Sequence, residues 1–166
     1  MKLATLAVAL GAVCLTGCVS MSRSQTVTGL SPDLTANGRI ESVRLTRGDL
    51  KVTPEFDQLF RSRVKAKLDS CAKGARPLRL DASINRFDKA NPVLITLVAG
   101  ANVLRGEARL VDVSSGQVVA IYQIGHTVVG GRLGILKMGE AEEQLSDAFG
   151  TELCQQAFTT KTAAAR

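Results

Sequence analysis

The sequence predicts an α+β two-layer sandwich: an antiparallel sheet of about four strands, ordered strand, helix, strand, strand, strand, helix, with both helices on one face. Three observations carry it. Apolar residues alternate with polar ones in several runs between residues 78 and 127, the signature of strands with one wet face. Apolar residues recur at three- and four-residue steps in two other runs, beginning near residues 56 and 140. The strands follow one another closely, which makes antiparallel pairing the default. At 166 residues and 17.6 kDa the chain has room for one such domain.

The domain does not begin at Met1. Lys2 opens a short positive region, and residues 3–13 are an uncharged stretch of eleven before Cys14. A spanning helix needs about 20 apolar residues, so residues 1–17 read as an export signal. Leu15-Thr16-Gly17-Cys18 closes it and resembles the bacterial lipobox, in which the Cys thiol receives a diacylglycerol group and the chain is cut just before it. The resemblance implies a palmitoylated lipoprotein starting at Cys18, held on a membrane by its acyl chains at about 0.8 kcal/mol per buried CH₂. Cys14 does not fit, because Val13 stands where the pattern wants a small residue. Val19, rather than Asp, follows Cys18, which in the lipoproteins it resembles implies the outer membrane. Residues 18–38 are rich in Ser, Thr, Gly and Asn without a sustained apolar period, and read as the lipidated Cys and a flexible tether. The globular domain is then 39–166.

Its elements follow in order. Ile40, Val43 and Leu45 mark a strand at 39–46. Thr53 reads as a helix cap with Pro54 at the first position, and Phe56, Leu59, Phe60, Val64, Leu68 and Cys71 share one face of a helix that Gly74 ends. Leu78, Leu80, Ala82 and Ile84 alternate with polar residues in a second strand, broken at 88–92. Residues 93–99 are apolar except Thr96, and their length fits a buried strand or an apolar loop equally. A long strand at 102–113 turns through Ser114-Ser115-Gly116-Gln117 into another at 118–127, making a hairpin. Residues 130–134 form an irregular Gly-rich connection. The last helix, 140–160, carries Ala141, Leu145, Ala148, Phe149, Leu153 and Ala157 on one stripe, with Glu140, Glu142 and Glu143 in its first turn.

The hairpin, with Asp112 followed by Ser115-Gly116 and Val118-Val119-Ala120, resembles a group of small bacterial lipoproteins carrying a domain of unknown function. The element order is also similar to the N-terminal domain of the Tol-system β-propeller protein and to the curli secretion lipoprotein. What these resemblances imply is an accessory or assembly role in the envelope, with no catalytic residues to transfer.

The residues themselves offer little chemistry. His126 is the single His, which leaves no His pair for zinc. Asp81, Asp88 and Asp112 lack any feature that brings them together, and Asp112 fits a local turn role. Residues 130–134 lack the Gly-Lys-Ser/Thr ending of a phosphate loop. Arg61, Arg63, Lys65, Lys67 and Lys73 cluster near one helix, where a solvated face is the plainer reading than an anionic lipid or glycan site. Aromatics are 4%, too few for a base-stacking platform, so nucleic acid is not an expected partner. With Cys14 cleaved and Cys18 acylated, Cys71 and Cys154 remain; in an oxidising periplasm they read either as one bridge or as two small buried side chains.

The reading is a non-enzymatic lipoprotein of the bacterial envelope, anchored through Cys18, facing the periplasm from the outer membrane and binding another envelope protein. It needs no metal and no cofactor. An envelope hydrolase or ligand-binding enzyme and a subunit of a ring-forming secretion complex are the alternatives.

Overall fold

A computed structural model describes residues 19–90, 100–130 and 140–159. The elements in chain order are β1 (Val19–Ser22), β2 (Gln25–Thr28), α1 (Pro32–Asn37), β3 (Gly38–Arg47), α2 (Phe56–Cys71), β4 (Arg76–Asp88), β5 (Gly100–Asp112), β6 (Val118–Gly130) and α3 (Ala141–Ala157). The sheet runs β1-β6-β5-β4-β3, and β2 pairs with β6 alongside β1.

Alternation decides which side of the sheet is dry. Leu78, Leu80, Ala82 and Ile84 of β4, Leu104, Ala108 and Leu110 of β5, and Ala120, Tyr122 and Ile124 of β6 are all buried. Phe56, Phe60, Val64 and Leu68 of α2 and Leu145, Phe149, Leu153 and Ala157 of α3 complete the same core. Phe60 sits between the helices, its ring centroid 5.8 Å from Phe56 and 5.1 Å from Phe149. The α+β class and the placement of the long helices on one face follow this pattern.

Four details differ from the sequence reading. The sheet has six strands rather than about four, because residues assigned to a tether pair with β6: Val19 lies opposite Val129 and Gln25 opposite Gln123. Their inward side chains are Ser and Thr, so the period of two leaves no mark in hydropathy. The sheet is mixed, not antiparallel throughout: β3 and β4 run parallel, with Val43 opposite Leu80, while β4–β5 and β5–β6 are antiparallel. The physical reason is α2, whose length carries the chain back to the starting edge as a crossover. A third, short helix, α1, stands before β3; the Ser31 side chain accepts from the Leu34 N–H at 3.3 Å and Pro32 occupies the first turn. Finally, Thr53 does not cap α2, which starts after Glu55 without a side-chain cap.

Thr53 is used elsewhere. Its N–H and hydroxyl donate to the Glu142 carboxylate at 2.9 and 2.6 Å, and Lys89 pairs with the same group. Burial alone would raise the Glu142 pKa, but the Lys89 ammonium and the two Thr53 donors outweigh it and hold the carboxyl below its ordinary value. No helix among the described residues is long and apolar enough to cross a membrane.

Candidate functional site

Cys18, the residue the lipobox singles out, lies outside the described residues, as do 93–99 and 131–134. The described chain starts immediately after it, at Val19, already paired in the sheet. Cys71, the last residue of α2, and Cys154 in α3 are joined, with sulfurs 1.97 Å and Cα atoms 6.0 Å apart.

His126 is not isolated. Its Nδ1 lies 3.1 Å from Glu152 Oε1, and its Nε2 lies 2.8 Å from Ser20 Oγ. The Ser22 hydroxyl donates to Glu152 Oε2 at 2.5 Å. The tautomer that satisfies every partner carries the proton on Nδ1, so that the ring donates to Glu152 and accepts from Ser20. The network clasps β1 to β6 and α3. Sequence reasoning missed Ser20, Ser22 and Glu152, since the serines are more than a hundred residues from their partners. The one local signal is Glu152 itself, an acid beside Leu153 on a stripe that is otherwise apolar. His126→Ala should leave Glu152 short of a donor in a site only 7% exposed and cost about 1–3 kcal/mol of local stability. Faster amide exchange confined to residues 19–22 is the expected readout; unchanged exchange there would remove the clasp from the account.

The three aspartates are kept apart. Asp81 is held by the Arg79 fork at 2.8 and 2.9 Å, and Asp88 by Arg86 at 2.6 Å. Asp112, 4% exposed, closes the β5–β6 turn: it accepts from the Ser114 hydroxyl, from the Ser114 and Ser115 N–H groups at 2.9 Å each, and from Arg76 at 2.9 Å. Gly116 completes the turn with φ at 71°, the left-handed region that favours glycine. Hydrogen bonds from Ser114 first, then Ser115 and Arg76, hold the Asp112 carboxyl well below its ordinary value of 3.8. A depressed acid contributes stability that is complete above the unfolded value and is lost as pH falls toward the folded one. The Tm advantage of wild type over Asp112→Asn should therefore be full at neutral pH and shrink below about pH 4, as thermal unfolding across pH will read. An advantage that does not change with pH would contradict this.

The basic residues of α2 are largely spoken for. Arg63 pairs with Glu143, Lys65 with Asp69 at 2.5 Å, and Lys67 with Asp147 at 3.5 Å. The solvated-face reading suits them. A second set of cations stands on the far side of the sheet. There Arg44, Ser83, Arg105 and Arg109 are exposed, so no described helix covers that face. Arg44 lies opposite Asp81, and Asp81 opposite Arg109, in one row across three strands. Arg109 also reaches Glu107 at 2.5 Å, and Gln123 donates to Glu107 at 2.8 Å. Arg23, Arg105, Gln25, Asn85 and Gln123 line a shallow depression of about 290 Å³ on this face. Neither Arg23 nor Arg105 has an ion-pair partner among the described residues. Arg105 was legible as the wet side of an alternating strand; Arg23, in a stretch read as tether, was not.

Another groove, about 510 Å³, lies on a different side, between β2, α1 and the end of α3; Leu30, Tyr122 and Phe158 line it. Burial raises the Tyr122 pKa against the Leu30 N–H, which donates to its oxygen at 3.0 Å. Among the described residues no group of three or more His, Cys, Asp or Glu side chains is placed to hold a metal ion.

No family model and no curated protein matches the chain. Solved structures do. The PelC dodecamer from Paraburkholderia phytofirmans matches at 20% identity with a TM-score of 0.52, over 84% of this chain and 100% of that one. A candidate lipoprotein from Caulobacter crescentus matches at 14% identity and a TM-score of 0.42, over 66% and 84% of the two chains. A DUF330 protein from Xanthomonas campestris matches at 16% identity and a TM-score of 0.41, over 80% and 94%. At 20% identity the likeness to PelC is one of fold alone, and it spans the whole of that chain.

Proposed function

We propose that this chain is a non-enzymatic, lipid-anchored domain of the bacterial envelope that works by assembling with protein, in the first place with further copies of itself. One observation carries the reading: a face of the sheet, rich in arginine, is left without a covering element among the described residues. A face of that kind fits a protein partner better than a small substrate, which needs a concave, largely enclosed site. That PelC, whose fold this chain shares, is a dodecamer supports self-assembly. The sequence resemblance to the curli secretion lipoprotein points the same way, and the lipobox supports attachment through Cys18 to the outer membrane.

Two measurements test it together. A clickable fatty acid should label the wild-type protein and not Cys18→Ala, and crosslinking in intact cells should recover multimers of the chain. Absence of label removes the anchor, and recovery of monomer alone removes self-assembly.

The Ser20–His126–Glu152 chain favours a second reading, an ester hydrolase with Ser20 as nucleophile, His126 as base and Glu152 orienting it. It ranks lower, because Ser20 lies on an extended edge strand and the cavities described above are lined by other residues. A fluorophosphonate probe should leave Ser20 unmodified; covalent labelling lost in His126→Ala would reverse the ranking.

A further inference from the structure

We infer that copies of this chain meet head to tail, the arginine face of the sheet in one copy receiving the acidic corner of the helical layer in the next. The inference rests on the self-assembly reading above and names the two surfaces.

Each surface carries charge without an ion-pair partner among the described residues. On the sheet, Arg23 and Arg105 flank the depression with the amides of Gln25, Asn85 and Gln123. On the helical layer, Glu55 immediately precedes α2 and Glu140 immediately precedes α3. Glu55 and Glu140 border two shallow depressions that share Leu59, and neither has an ion-pair partner among the described residues. Leu59 is half-buried and gives the corner an apolar centre between its carboxylates. An arginine fork donates two parallel hydrogen bonds to a carboxylate, so guanidinium groups facing glutamates fix register as well as sign.

The placement decides the symmetry. Within one copy the arginines lie on the side of the sheet that no described helix covers, and the glutamates at the starts of the helices that cover the other side. Two copies cannot satisfy both surfaces at once across a two-fold axis. The contact is heterologous, and it either closes into a ring or runs on as a filament.

Charge reversal tests this on the full-length lipidated protein in detergent, by mass photometry at low salt. Arg23→Glu with Arg105→Glu makes both surfaces acidic, and Glu55→Arg with Glu140→Arg makes both basic. Each double variant alone should lose at least about tenfold in assembly affinity, since like charges then face each other. Mixed in equal amounts, the two should recover assembly to within a few-fold of wild type, because every contact is again opposite in sign. The recovery also shows that both variants are folded. Wild-type protein that stays monomeric would overturn the self-assembly reading together with this one. Wild-type multimers that the reversals leave intact, or variants that fail to recover on mixing, would overturn the head-to-tail contact alone.

Discussion

Replacing Cys71 and Cys154 together by serine should lower the unfolding free energy by about 2–5 kcal/mol, with the fold unchanged. The bridge spans 83 residues and encloses all of β4, β5 and β6. Closing a loop of that length removes denatured-chain entropy corresponding to about 4.5 kcal/mol at 25 °C, close to the upper end of what native bridges contribute. The site explains why so little is lost from the folded state. Both sulfurs are half-buried, at the end of α2 and near the end of α3, and the helices also meet through Phe60 and Phe149. Serine in each position keeps the volume nearly unchanged. The measurement is urea unfolding of wild type, reduced wild type and the double variant, with far-UV circular dichroism to confirm that secondary structure persists. Thiol counting on the unreduced mature protein should find none free. Equal midpoints for oxidised and reduced protein would remove the bridge as a source of stability.

Legibility followed hydropathy. β4, β5 and β6 were readable because one face packs on a dry core, so Leu78, Leu80, Ala82 and Ile84 alternate with Arg79, Asp81, Ser83 and Asn85. β1 and β2 have the same geometry, but their inward side chains meet polar partners: Ser20 and Ser22 reach His126 and Glu152, and Thr26 reaches Gln156 at 3.0 Å. A strand satisfied by hydrogen bonds carries no hydrophobic period and looks like a linker. The parallel pairing of β3 with β4 is not a property of either strand. It follows from the helix between them, and a rule about crossovers, applied to the predicted order, reaches it. The site was harder. A lone histidine is read against the zinc pair it lacks, whereas its role is set by a serine and a glutamate that the fold brings to it. The unpaired arginines became visible only after the ion pairs of α2 had been assigned.

Gly74→Ala should destabilise the domain by about 3 kcal/mol, the upper part of the range for forcing an extra carbon into packed structure. In the sequence this glycine reads as the end of a helix, chosen for left-handed freedom. Its φ is not positive; among the described glycines only Gly116 has that conformation. The requirement is space. A Cβ on Gly74 would lie 1.9 Å from both the carbonyl carbon and the oxygen of Asn37 and 2.4 Å from its Cα. All three are backbone atoms, which cannot rotate away. The Gly74 N–H also donates to the Gly38 oxygen at 3.0 Å, and Gly38 starts β3 opposite Arg76 at the start of β4. Making room for one methyl group therefore means parting the α1–β3 junction from the α2–β4 turn, at the end where the parallel pair begins. Gly48→Ala is the matched control: nothing lies within 4 Å of its added carbon. That variant should be neutral, or more stable by about 0.4–1 kcal/mol through the denatured chain. Urea midpoints for the two alanine variants should thus move in different directions or by very different amounts. Equal midpoints would show that Asn37 and Gly74 do not approach this closely, and the account of how β3 is seated against β4 would fall with them.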